Sequence, residues 1–171
     1  FDGIVSSELD LRLESSSASK FKDTTKVDNG FNVPSVNWKL SGKRVMTMSW
    51  VEGTALGDIE SLENSGHDKL VLGERVLQLF LNHALRDGYF HADMHQGNLK
   101  VSPKGEISAY DFGIMGFIDE YTRRVYAEIL YGFIKRDYKR VAEVHFEAGY
   151  VPMDRDVEDF ANACLLYTSD A

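Results

Sequence analysis

Apolar and polar positions change rhythm several times along the chain, and each change marks an element. Residues Glu8 to Phe21 read as a polar helix carrying three carboxylates, Glu8, Asp10 and Glu14. Asp23 to Gly30 is rich in charged and small polar residues and reads as a loop. Phe31-Asn32-Val33-Pro34 leads into a predicted hairpin: a strand over Ser35 to Leu40, a turn at Ser41-Gly42-Lys43, and a returning strand over Arg44 to Trp50. After Gly53 the alternation gives way to helical spacing. Leu56, Ile59 and Leu62 predict a short helix. Leu72, Val76, Leu79, Phe80 and Leu85 form the apolar face of a longer one over Lys69 to Asp87, which Gly88 ends.

That helix delivers the chain into Tyr89 to Asn98, the densest polar stretch of the sequence. A second hairpin comes next, with strands over Leu99 to Val101 and Glu106 to Tyr110 joined through Ser102-Pro103-Lys104-Gly105. It ends at Asp111-Phe112-Gly113. Asp119 is placed to cap a helix with Val125, Ile129 and Phe133 on one face. A further helix spans Tyr138 to Ala148, and Asp154 is placed to cap a last one.

The chemistry begins with a spacing. His91-x-Asp93 is followed five residues later by Asn98, and Asp111-Phe112-Gly113 comes thirteen residues after that asparagine. Catalytic loops of protein kinases run H-x-D-x-x-x-x-N, then two short strands, then D-F-G. Phosphoryl transfer is mostly positioning and charge neutralisation, so the residue types follow from the task. Asp111 is the carboxylate for magnesium bridging the phosphates of ATP, Asn98 supplies an amide oxygen to a second metal, and Asp93 orients the acceptor and takes its proton. Gly97, Phe112 and Gly113 shape the two loops, and His91 packs to hold the first. The alternating His91, Asp93 and His95 also permit a second reading, a transition-metal hydrolase site. His95 is placed to face either the phosphates or the acceptor.

Composition narrows the partners. The 171 residues carry a net charge of −8, so nucleic acid is not an expected ligand. The basic positions Arg123, Arg124, Lys135, Arg136, Lys139 and Arg140 read as solvated helix faces. Cys164 is the single cysteine, which excludes a disulfide framework and a cysteine zinc site. No apolar run approaches the roughly 20 residues of a membrane span. A first residue other than Met implies that the chain begins inside a longer reading frame.

Phe90-His91-Ala92-Asp93-Met94-His95-Gln96-Gly97-Asn98 resembles the F-H-A-D-x-H-P-G-N loop of the UbiB/ADCK family of atypical kinases. Asp111 to Gly116 is similar to that family's D-F-G-x-x-G, and Glu8 to Glu14 to its E-x-D helix. The resemblance implies that Glu14 pairs with a strand lysine and that Glu8 and Asp10 stand near the nucleotide. Without it, these carboxylates are an ordinary solvated helix face. It also implies ATP and magnesium as cofactors, and a role in ubiquinone biosynthesis at the inner face of the cell membrane, with membrane and protein partners engaged through segments outside this chain. Gln96 stands where the family has proline, which loosens the loop without removing a ligand. The nucleotide-covering loop, the strand lysine and the K-x-G-Q segment are expected before Phe1. Cys164 to Ala171 departs from the family pattern and reads as a non-native tail.

Only Ile114 to Ile118 separate Gly113 from the presumed cap Asp119, too short an interval for a peptide-docking segment. A small-molecule or lipid acceptor, or ATP hydrolysis, is therefore expected in place of protein phosphorylation. Adenine is expected at Ser49, Trp50 and Val51. The whole reads as an α+β protein-kinase-like fold: a partial N-lobe over 1–50, a mostly helical C-lobe over 51–163, and the doubtful tail 164–171. A pseudokinase that senses nucleotide uses the same residues without turnover.

Overall fold

Asp10 opens the described structure by accepting the Arg12 N–H at 3.2 Å, which caps helix α1, Leu11–Thr25. The computed structural model describes residues 10–169, the side chain of Ser169 excepted. Glu8 lies outside the described residues. Asp10 is thus a cap and does not ride the helix face, and α1 continues through Asp23, where the polar composition predicts a loop. Burial explains the extension. Ser15, Ala18, Phe21 and Thr25 recur at helical spacing and are all buried, so tertiary packing carries the helix past its polar end. The chain divides into two compact units that meet in sequence at Phe117 and Ile118, so residues 10–50 share a unit with 51–117.

The expected strands at 35–40 and 44–50 do not form a ladder. Val36 and Met48 make one bridge, Gly42 and Val45 another, and Trp38–Leu40 is a 3₁₀ turn. The Asn37 N–H donates to the Thr47 carbonyl at 2.8 Å and the Ser49 N–H to the Ser35 carbonyl at 2.9 Å, and hydroxyls supply further bonds in place of a continued ladder. Ser41 Oγ donates to the Asn37 carbonyl at 2.8 Å and accepts the Thr47 N–H at 2.9 Å, and Thr47 Oγ1 donates to the Leu40 carbonyl at 2.9 Å. Val36 and Met46 pack against the core while Trp38, Leu40 and Val45 are exposed, so the buried face that would fix a strand register is narrow.

The rest of this unit is built on two small sheets. Strands β1 (Phe31–Asn32), β2 (Thr54–Ala55), β4 (Leu99–Val101) and β5 (Ile107–Ala109) form one in the order β1-β5-β4-β2. β1 runs parallel to β5, and the other pairs are antiparallel. Strand β3 (Tyr89–His91) pairs antiparallel with β6 (Met115–Phe117), placing His91 opposite Met115. Neither strand is predicted by the apolar pattern. Each is only three residues long, and its partner lies beyond the whole second hairpin. Helices α2 (Ile59–Asn64) and α3 (Lys69–Leu81) supply Leu62, Leu72 and Leu79 to the core, where Phe21, Leu99, Val101, Ile107 and Phe112 are buried. Burying each of these larger side chains stabilises the fold by about 1.5–3 kcal/mol.

The helix expected to run to Asp87 changes character at Asn82. Residues Asn82–Asp87 form a π-helical turn closed by Gly88 in the left-handed region, φ 69°. Within it Arg86 forks onto the Asp28 carboxylate at 2.7 and 2.8 Å, and buried His83 places Nε2 3.2 Å from the same carboxylate. Phe21 and Phe31 flank the His83 ring, each with centroids 5.0 Å away.

The second unit is helical. Asp119 caps α4, Glu120–Lys135, by accepting the Thr122 N–H at 2.8 Å. Asp137 caps α5, Tyr138–Glu147. Helix α6, Val157–Ser169, is capped by Asp156 in place of the expected Asp154, with the Glu158 N–H at 2.8 Å. It runs without interruption through Cys164. Val125, Val141, Ala142 and Val144 are buried here, and a Cβ on Gly132 would stand 2.6 Å from Val141, so α4 and α5 pack closely.

Candidate functional site

The ends of β3, β4, β5 and β6 converge on the motif loops. His91 ends β3 fully buried, and its Nδ1 accepts the Asp93 N–H at 3.1 Å. The Ala92 N–H donates to the Ile114 carbonyl at 3.0 Å, so the strand pair sets where Asp93 leaves the sheet. Burial pushes the His91 imidazole below its ordinary value, against the Asp111 backbone and the Asp111 and Asp93 carboxylates. The ring is therefore neutral. Its Nε2 makes no hydrogen bond of ordinary geometry.

After Asp93 the chain turns through His95 into a 3₁₀ turn over Gln96–Asn98. His95 Nδ1 accepts the Gly97 N–H at 2.9 Å, and its Nε2 stands 3.7 Å from Asp93 Oδ2. A Cβ on Gly97 would lie 2.7 Å from the His95 ring, so a side chain there would push that ring off the Gly97 amide. Asn98 Nδ2 donates to the Asp93 carbonyl at 3.1 Å, which leaves the amide oxygen as the end a cation can take. Tyr110 ties the second motif to the first: its N–H donates to the Asn98 carbonyl at 3.2 Å and its hydroxyl donates to the Gly97 carbonyl.

Asp111 Oδ1 accepts the Gly113 N–H at 3.0 Å, while Phe112 is fully buried in the core. Glu14 reaches across from the first turn of α1 and accepts the Phe112 N–H at 3.2 Å. Asp10, Glu14, Asp93 and Asp111, with Leu13 and Ile114 among the apolar groups, line one cavity of about 430 Å³. The fold thus brings Asp10 and Glu14 together with Asp93 and Asp111, and anchors Asn98 on Asp93.

Ser49, Trp50 and Val51 do not line this cavity. Ser49 pairs with Ser35 and borders a separate hollow of about 560 Å³ with Val36, Trp38 and Met48. Trp50 is 82% exposed, and the Val51 carbonyl accepts the Lys100 ammonium at 3.2 Å. The Lys100 ammonium also sits 5.1 Å from the Trp50 ring and 5.6 Å from that of Tyr110. Sequence reasoning missed Lys100 and Tyr110. Their positions, directly after Asn98-Leu99 and directly before Asp111, were the available signal.

No group of three or more His, Cys, Asp or Glu among the described residues is arranged to hold a metal ion by itself. His91 and His95 both spend Nδ1 on backbone amides, so the transition-metal reading lacks a convergent ligand set. Hard oxygens of Asp111 and Asn98 suit magnesium shared with phosphate oxygens.

Two short sheets presenting H-x-D-x-x-x-x-N and D-F-G loops beside a carboxylate-bearing helix define a protein-kinase-like scaffold. The solved Rv3197–erythromycin complex from Mycobacterium tuberculosis shares this fold, with a TM-score of 0.69 and 24% identity over 88% of this chain and 38% of that one. Residues 1–145 match the ABC1 atypical kinase-like domain, and the chain belongs to that family. A probable protein kinase UbiB of Histophilus somni (strain 129Pt) is 35% identical over 167 residues, 95% of this chain and 31% of that protein. One of Aliivibrio fischeri (strain MJ11) is 38% identical over 157 residues, 90% of this chain and 29% of that protein. The chain therefore spans about a third of the length of these relatives.

Proposed function

We propose that this chain carries the catalytic loops of a magnesium- and ATP-dependent atypical kinase or ATPase of the UbiB type, acting on a small-molecule or lipid acceptor in ubiquinone biosynthesis at a membrane. One observation carries the reading: Asp93 and Asp111 line one cavity with Glu14, while Asn98 is pinned to the Asp93 carbonyl. Magnesium, when bound, neutralises charge on the transferring phosphates. Asp111 and Asn98 are the residues to hold it. Asp93 orients the acceptor hydroxyl and takes its proton, and its backbone is held from one side by His91 and from the other by Asn98. Glu14 fixes the Phe112 amide and with it the position of Asp111.

The short path after Gly113 supports a small-molecule or lipid acceptor. The chain enters β6 at Met115, and Asp119 already caps a helix, so no segment stands there to align a peptide. Leu11, Leu13 and Ile114 give the cavity an apolar wall, which suits an amphiphilic acceptor. No helix among the described residues is long and apolar enough to cross a membrane.

The test uses the full-length protein, its Asp93→Asn variant, magnesium ATP, and hydroxylated amphiphiles as acceptors. Binding retained in the variant with turnover lost supports this reading. Binding without turnover in the parent protein replaces it with a nucleotide-sensing pseudokinase.

A further inference from the structure

The cavity poses an electrostatic problem. Its described lining residues carry the carboxylates of Asp10, Glu14, Asp93 and Asp111, and none of them is cationic. A magnesium nucleotide triphosphate retains net negative charge, so holding it here takes positive charge beyond the metal. Arg12 stands at the edge with such a charge. Its Nε and Nη2 donate to the Asp10 carboxylate at 2.8 and 2.6 Å, while its side chain is 62% exposed.

Asp10 does not depend on that guanidinium for its position. Its Oδ1 also accepts the Arg12 backbone N–H, and this cap keeps the carboxylate at the first turn of α1 if the guanidinium leaves. Asp10, Leu11 and Glu14 from that end of the 15-residue helix line the cavity, so the positive end of the helix lies beside it as well. The Leu11 N–H donates to the Lys43 carbonyl at 3.0 Å, which brings a second cationic residue to the same end.

We propose that Arg12 is a phosphate-binding residue of this site, whose guanidinium exchanges the Asp10 carboxylate for phosphate oxygens of the magnesium nucleotide. The inference rests on the nucleotide reading of the cavity and adds the residue that grips the phosphates. The exchange is nearly balanced in hydrogen bonds, since two charge-assisted contacts open and two form. Phosphate is the stronger partner, because it carries more charge and matches the planar fork. An exposed ion pair contributes little to stability, so opening it costs little.

The experiment is calorimetric titration of the full-length protein with magnesium ATP and, separately, with adenosine, which lacks phosphate. Arg12→Ala is expected to weaken magnesium ATP about tenfold and leave adenosine unchanged. Arg12→Lys is expected to recover part of the loss, and it replaces the alanine variant if that one does not fold. Equal weakening of both ligands makes Arg12 a structural partner of Asp10 and overturns the inference. No effect on either ligand overturns it too, leaving the nucleotide reading intact. A folded parent protein that binds no magnesium ATP removes that reading and this inference together.

Discussion

Two fully buried histidines stand at opposite ends of the same short run of chain, and they are held differently. His83 sits in the π-helical turn after α3, between Phe21 and Phe31, against a carboxylate that Arg86 clamps from outside. His91 sits at the end of β3 and accepts a backbone amide from the residue it positions, Asp93. Each ring leaves one nitrogen without a hydrogen bond of ordinary geometry, Nδ1 in His83 and Nε2 in His91. The first is a corner brace, where charge pairing fixes how α3 meets the loop after α1. The second is a loop support, where backbone geometry sets the Asp93 side chain. Changes at the corner should therefore show in stability, and changes at the loop in turnover.

The largest expected effect falls on the loop. Asn98→Leu removes both the oxygen proposed for magnesium and the tie to the Asp93 carbonyl, and turnover in the full-length protein is expected to drop about a thousandfold. Its denaturation midpoint is expected to move far less. At the corner the pattern reverses. Arg86→Met leaves Asp28 buried without its fork and is expected to cost about 2 kcal/mol, read from urea denaturation, with the intrinsic nucleotide affinity of the folded protein unchanged. Gly116→Ala probes the β3–β6 sheet beside the loop. A Cβ there would stand 2.4 Å from the Phe90 ring, and the overpacking is expected to cost about 1–3 kcal/mol, read from the same denaturation curves.

The smallest effect is one the two histidines share. Burial is the main cause holding both imidazoles below their ordinary value of 6.5, so both are neutral in the folded chain. The unfolded chain takes up these protons first as pH falls. Stability is therefore full above about pH 6.5 and declines below it, until the lowered folded values are reached. Denaturation midpoints at pH 7.5 and 5.5 should show this decline, and His83→Gln should flatten it. A slope unchanged in that variant would mean that His83 takes up its proton equally well folded and unfolded, and a steeper one that Asp28 holds it protonated.

The same division separates the residues legible in the sequence from those that were not. Asp93, Asn98 and Asp111 were legible because a motif fixes residue type and spacing together. Capping aspartates were legible only in part. Asp119 stands directly before a long amphipathic helix, which marks it as a cap. Asp156 takes the place expected for Asp154 because two amides, those of Glu158 and Asp159, converge on it. The β3–β6 pair was hidden because each strand is short and its partner distant. The His83–Arg86–Asp28 brace was hidden because a π turn leaves no signature in apolar spacing. The segment 35–50 alternates as a hairpin does but forms isolated bridges, because Trp38, Leu40 and Val45 face solvent and serine and threonine hydroxyls supply part of the bonding that a full ladder would make.

Asp111 and Asn98 are proposed to hold magnesium for a nucleotide in the cavity that Asp93 and Asp111 line. Magnesium-dependent ATP binding by the full-length protein, measured beside its Asp111→Asn variant, tests this assignment most directly. Tight, magnesium-dependent binding is expected in the parent, with a loss of that dependence in the variant. Equal magnesium-dependent binding by both proteins would contradict it.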